Sequence, residues 1–269
     1  MKGPLVALPL ALLASCALPV VSAGTFLPAG DLRRGDVHAS VSMEVGRVLA
    51  GPTDVGDLGQ RNPVPPETQQ WEVLTWIASD LSIRWQALDR LALEAQLKLT
   101  DPVVPGYPVP VGGALGFRLR LLDLGPTREG LAIELGGRFV GVGVTEDLNR
   151  QTPDGRTQVD RWTYRALGAE VPLIITYRVA QPLAFTWSPF LRAYWIRAWH
   201  ETFAQDGSEQ LTRLQWTPVL SAGMGLAAAL DFGPVQVSPG CALELATRAG
   251  PNAPTKLIVE PGLSVGLRF

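Results

Sequence analysis

Through most of this chain apolar and polar residues exchange places at every second position, and a period of two is the repeat of an extended strand with two unlike faces. Val37, Ala39, Val41, Met43 and Val45 alternate with His38, Ser40, Ser42 and Glu44. Leu81, Ile83, Trp85 and Ala87 alternate with Asp80, Ser82, Arg84 and Gln86. After Leu88-Asp89-Arg90-Leu91, which leaves room for only a tight turn, Leu93, Ala95, Leu97 and Leu99 alternate with Glu94, Gln96 and Lys98. The pattern returns over Leu115–Leu121, Leu131–Phe139, Leu167–Tyr177, Leu191–Trp195, Leu214–Leu226, Val235–Leu245 and Leu257–Phe269, which makes an all-β chain of ten strands.

The N-terminus is of another kind. Met1 and Lys2 precede an apolar run from Leu5 to Leu13. That run is shorter than the roughly 20 residues a bilayer-crossing helix needs, and it reads as an export signal. Two cleavage sites compete. Val21-Ser22-Ala23 presents small residues for a cut before Gly24, whereas Leu13-Ala14-Ser15-Cys16 resembles the lipobox of bacterial lipoproteins, in which Cys16 becomes the acylated first residue. No later apolar run reaches helix-spanning length, so any membrane crossing is by strands.

Composition removes other classes. Lys plus Arg total 23 against 25 Asp plus Glu, a net charge of -2, which leaves no basic surplus for nucleic acid. With two cysteines, Cys16 and Cys241, and the first inside the export segment, neither a disulfide framework nor a cysteine zinc site is available. Charged residues are 18% of the chain, below the roughly 25% of soluble domains, and Gly 28 and Pro 23 mark a turn-rich chain.

The connections between strands sort by length. From the N-terminus, long or medium loops (50–68, 102–110, 147–159, 204–209, 248–254) alternate with short ones (89–90, 125–128, 179–183, 231–234). An up-and-down antiparallel meander puts all the long loops at one end and both termini at the other, the pattern of outer-membrane barrels. The apolar faces carry large aliphatic residues on nearly every strand, more than the lumen of so small a barrel holds, so they are read as facing lipid. Trp71, Trp85, Tyr177, Trp187, Trp199, Trp216 and Phe269 fall near strand ends on that face, where interfacial girdles are expected.

The terminal Gly262-Leu263-Ser264-Val265-Gly266-Leu267-Arg268-Phe269 resembles the C-terminal β-signal of bacterial outer-membrane barrels. In that family the assembly machinery recognises an alternating last strand that ends in an aromatic residue, here Phe269. The resemblance implies a transmembrane β-barrel of about ten strands over residues 36–269, behind a signal of residues 1–23 (1–15 if Cys16 is lipidated) and a periplasmic spacer of residues 24–35. It also implies outer-membrane lipid and the barrel assembly machinery as partners. Pro172, Pro189, Pro218, Pro239 and Pro261 depart from the pattern, since each lies in or beside a strand and lacks a ladder donor.

On the barrel reading the inner face carries the acids Glu44, Glu72, Asp80, Glu94, Glu134, Glu170, Glu244 and Glu260. Its bases are Arg84, Lys98, Arg118, Arg120, Arg138, Arg192, Arg213 and Arg268. Signs balance, so the expectation is a cross-linked polar plug rather than a charge-selective pore. Enzyme signals are thin. His38 and His200 lie at opposite ends of their strands. The latter, with Glu201 and Asp206, lacks the Asp-x-His motif of the outer-membrane proteases, and Arg197-Ala198-Trp199-His200-Glu201-Thr202 has Thr202 where lipid A deacylases carry a nucleophilic Ser. Cys241 reads as a small apolar side chain. The glycines at 136–137, 141, 143, 223 and 225 precede no helix and form no phosphate loop. The loop Gln151–Arg156 is polar, as recognition loops often are. The expectation is a non-enzymatic barrel with no cofactor and no metal, either structural or a narrow, plugged channel. Its rivals are a rim enzyme acting on lipid or peptide and a soluble periplasmic lipoprotein binding an apolar ligand. Mass spectrometry of the mature N-terminus separates the two cleavage sites: cleavage before Gly24 yields a free glycine amine, and lipobox processing an acylated Cys16.

Overall fold

The computed structural model describes residues 26, 32–101, 109–124, 130–151, 157–203, 209–213, 217–248 and 255–269, apart from 51–74. The strands are β1 (Val37–Ala50), β2 (Thr75–Leu88), β3 (Leu91–Asp101), β4 (Val111–Leu124), β5 (Gly130–Gln151) and β6 (Thr157–Ala180), followed by β7 (Leu183–Phe203), β8 (Glu209–Arg213), β9 (Thr217–Phe232), β10 (Val235–Arg248) and β11 (Thr255–Arg268). From β1 to β8 and from β9 to β11 each strand pairs antiparallel with its neighbour in sequence, β9 pairs with β7, and β1 pairs with β11, so the sheet closes on itself. β8 and β9 lie along the same side of β7, with Arg213 opposite Trp199 and Thr217 opposite Ile196. They form one stave in two pieces, and the barrel has the ten staves the alternation predicts.

Closure uses the last residue. Phe269 N–H donates to the Val37 carbonyl at 2.9 Å and Val37 N–H donates to the Phe269 carbonyl at 3.1 Å. The exposed Phe269 ring therefore stands where the first and last strands meet. At the same end, the β9–β10 turn needs a left-handed residue, supplied by Gly233 at φ 85°. Asp231 Oδ1 accepts from Gly233 N–H at 2.9 Å and Arg268 Nη2 donates to the Gly233 carbonyl at 2.8 Å, locking that turn to the final strand.

The strand prolines fit because an extended residue in an antiparallel sheet bonds to one neighbour only. The β10–β11 register runs unbroken through Pro239 and Pro261, while β9–β10 is interrupted beside Pro239 and β1–β11 beside Pro261. Pro189 keeps its register with β9 and interrupts it with β6. Pro172 keeps its register with β7 and interrupts it with β5, where Gly136 lies against its ring. Pro218 opens β9, opposite Trp195. Each proline removes a donor on one side and leaves the other seam whole.

The faces sort as expected. Outward positions such as Val41, Leu81, Leu97, Leu115, Phe139 and Leu191 are exposed, and they follow one another around the wall. An apolar belt of that extent is far beyond the patches soluble proteins leave in water. On β6 it runs from Leu167 to Tyr177, the length of about 9–11 residues that a tilted strand needs to cross hydrocarbon. The strands β5, β6 and β7, at 22, 24 and 21 residues, continue well past that belt at the long-loop end.

Replacement of Leu115 by Arg places a charge within the belt, and unfolding from lipid vesicles in urea is expected to show a loss of about 2–4 kcal/mol. A soluble, water-facing wall would tolerate the same change with little effect.

Candidate functional site

The inward positions hold nearly all the charge the strand parity assigned to them. Lys98 Nζ donates to Asp80 Oδ2 at 2.8 Å across β3 and β2. From there a chain of ion pairs crosses the lumen. Arg118 Nε on β4 meets Glu94 Oε2 at 2.9 Å, Arg138 on β5 lies 3.8 Å from Glu94, and Arg138 Nε is 3.1 Å from Glu170 Oε2 on β6. Arg192 on β7 then bridges Glu170 at 3.2 Å and Glu244 on β10 at 2.6 Å. These side chains are all at most 3% exposed. Arg84 stands opposite Glu94 in the β2–β3 register, and Glu44 and Glu260 are both 1% exposed on β1 and β11.

Nearer the short-turn end, Arg120 lies 3.6 Å from Glu134 and 3.5 Å from Asp123. Arg268 sits at the rim, half-exposed and 3.7 Å from Asp231, so it belongs to the turn rather than to the lumen network. Cys241 is a half-buried free thiol. His38 is buried at the start of β1, whereas His200 pairs through its backbone with Trp162 and Thr212 near the far end of β7. The chain folds them to opposite ends of the barrel. Cys16, Gly24, Trp71, Glu72 and Asp206 lie outside the described residues, as do the side chains of Trp199, Glu201, Arg213 and Trp216.

Between and above the charges the lumen is filled by rings set into glycine niches. A Cβ at Gly168 would lie 2.2 Å from the Tyr194 ring, one at Gly223 2.4 Å from Phe190, and one at Gly46 1.9 Å from Trp76. Phe190 also lies 4.3 Å beneath the Arg192 guanidinium, a cation–π contact in a dry setting. Toward the long loops Ala114, Val140, Val142, Ala166, Tyr194, Ile196 and Val219 form an apolar cluster inside the barrel.

The stretch 24–35, expected as a spacer beyond the barrel, departs from that reading at its described points. Phe26 is 1% exposed and Leu32 2%. The Phe26 ring lies against Gly240 and Gly262, where a Cβ would approach it to 2.5 and 2.6 Å, and Glu44 flanks the same niche. Arg120 Nη2 donates to the Leu32 carbonyl at 2.7 Å, and Gly35, at φ 93°, hydrogen-bonds through its N–H to the Gln86 carbonyl. Phe26 is accommodated there because two inward glycines on adjacent strands leave a ring-sized gap.

Parity placed Glu170 inside without showing its central part, and two further interior residues, Tyr194 and Lys256, were not among the groups assigned there. Glu170 is the hub, meeting Arg138, Arg192 and the Tyr194 hydroxyl, which donates to its Oε1. Tyr194 is an aromatic on a polar face, and Lys256 is buried on β11. Tyr194 and Lys256 fall at inward parity on their strands, and Tyr194 stands against Gly168. Beyond the belt, on the outward face, Arg161 donates to Asp147 at 2.6 and 2.9 Å, and that hydrogen bond holds the Asp147 carboxyl below its ordinary range. Among the described residues no group of His, Cys, Asp and Glu is arranged to hold a metal ion.

No protein-family model matches the sequence, and no curated protein does. Solved barrels share the fold distantly. The outer membrane protease OmpT from Escherichia coli matches at 10% identity over 87% of this chain and 97% of its own, with a TM-score of 0.44. The translocator domain of the autotransporter NalP from Neisseria meningitidis matches at 10% identity over 90% of this chain and 91% of its own, with a TM-score of 0.39. Ail, the attachment invasion locus protein of Yersinia pestis, matches at 11% identity over 88% of this chain and 99% of its own, with a TM-score of 0.30.

Removing Glu170 leaves Arg138 and Arg192 facing each other without water. Glu170→Ala is expected to lower stability by about 3–5 kcal/mol in denaturant unfolding. Asp123→Ala, at the part-exposed end of the lumen, is expected to change it by about 1 kcal/mol or less.

Proposed function

We propose that the mature chain is a bacterial outer-membrane β-barrel whose lumen is closed, a structural wall protein rather than an open diffusion pore or an enzyme. The observation that carries the reading is the ion-pair chain from Arg118 through Glu94, Arg138, Glu170 and Arg192 to Glu244, which runs from one side of the lumen to the other with every member buried. Phe26 and the apolar cluster around Tyr194 occupy the space beside and above it. A water-filled pore keeps its charged side chains solvated. Here they neutralise one another, and moving an ion past them means breaking pairs that have no water to replace them.

Export followed by strand insertion supports the outer membrane as the location, with a lipid-facing belt, long loops outside and both termini at the short-turn end. The separation of His38 from His200, at opposite ends of the barrel, supports a non-catalytic role.

Purified protein is expected to migrate faster on a gel without boiling, to need detergent for extraction, and to give no steady conductance in planar bilayers. A stable open-channel current from the unaltered chain, or a mature protein soluble without detergent, overturns the reading. His200→Ala is expected to leave outer-membrane integrity, followed by detergent sensitivity of the cells, unchanged.

A further inference from the structure

The outer wall of β2 to β7 is not evenly covered. Following the registers around the barrel, Leu97 is opposite Gly113, Gly113 opposite Gly141, Gly141 opposite Leu167, and Leu167 opposite Trp195. Partners in an antiparallel sheet point to the same side, and these point outward, so two adjacent glycines leave a gap in the belt. The result is a groove of about 760 Å³ with an almost wholly apolar lining, in which Leu115 and Phe139 stand on the short-turn side. A Cβ at Gly141 would already lie 3.2 Å from Leu167 Cδ2.

The next row toward the long loops runs Leu99, Val111, Gly143, Arg165 and Arg197. Arg165 and Arg197 are directly opposite each other on the outward face, immediately beyond Leu167 and Trp195. Neither is without a partner of its own. Two guanidinium groups side by side on adjacent strands are placed to share one anion between them. Guanidinium groups are suited to a phosphate, which they bind through paired N–H donors.

We propose that this groove and the arginine pair above it form one site for a phosphate-bearing acyl lipid of the surrounding leaflet, with a chain in the Gly113–Gly141 gap and the phosphate between Arg165 and Arg197. A second copy of the protein fits the face poorly. Two copies related by an axis along the membrane normal would bring their arginine pairs together at one height. The inference rests on the membrane placement proposed above, and the two fail differently, since a wrong placement shows as solubility without detergent.

Native mass spectrometry of the detergent-purified chain, titrated separately with phosphatidylglycerol and phosphatidylcholine, tests the site. Adducts of phosphatidylglycerol are expected to be favoured by about tenfold, the scale of a charge-assisted contact. Arg165→Gln with Arg197→Gln is expected to reduce that preference to near parity, and Gly141→Leu, which fills the groove, to reduce adducts of both lipids. Arg165→Lys with Arg197→Lys keeps the charge and is expected to retain most of the preference; heat-modifiable migration shows that each variant is folded. Equal retention of the two lipids by the unaltered chain, an unchanged preference in the folded glutamine variant, or dimer peaks in place of lipid adducts overturns the proposal.

Discussion

An open sheet leaves the N–H and C=O groups of its edge strands without partners, and the rest of this barrel depends on how that edge is closed. A sheet that crosses a membrane has to satisfy each N–H and C=O within itself, which requires it to close. The closure here is made by β1 and β11 and completed by the paired hydrogen bonds between Val37 and Phe269. The same requirement explains how the prolines are placed. Because an extended residue bonds to one neighbour, Pro172, Pro189, Pro239 and Pro261 each weaken a single seam, and no seam bears two of them.

Closing a ten-stave wall traps an interior too narrow for bulk water and lined by whatever the second face carries. That face cannot also be aliphatic without losing the alternation that defines which side meets lipid. It is therefore polar, and in a dry, narrow space polar groups have to answer one another. The Glu94–Arg138–Glu170–Arg192–Glu244 sequence of contacts does this with side chains from five different strands. Volume is settled separately: inward glycines at Gly168, Gly223, Gly240 and Gly262 make room for Tyr194, Phe190 and Phe26. Among the described residues, charge pairing and ring-in-glycine packing together fill the interior, and the near-zero net charge of the chain is the outward sign of that internal neutralisation.

The strand cores were legible because an apolar outer face and a polar lumen give the strongest possible contrast between successive residues. The ends were not. The alternation reads Leu131–Phe139 and Leu191–Trp195, whereas β5 reaches Gln151 and β7 runs from Leu183 to Phe203. Beyond the belt the outer face meets water, as Asp147 and Arg161 do, and the apolar–polar contrast disappears although the strand continues. Pro189 and the inward Phe190 obscure the start of β7 in the same way. The division of one stave into β8 and β9 likewise has no counterpart in the pattern.

Parity alone determined the all-β class, the number of staves, the apolar outer side, and which charges share the interior, because each of these depends only on whether a residue is odd or even in its strand. Which acid meets which base depends on register and on strands far apart in sequence, as with Arg192 and Glu244, and so only the closed barrel decided it. The same holds for Phe26. An aromatic residue in a stretch without periodicity is silent until two glycines from β10 and β11, brought side by side by the sheet, leave a space of its shape.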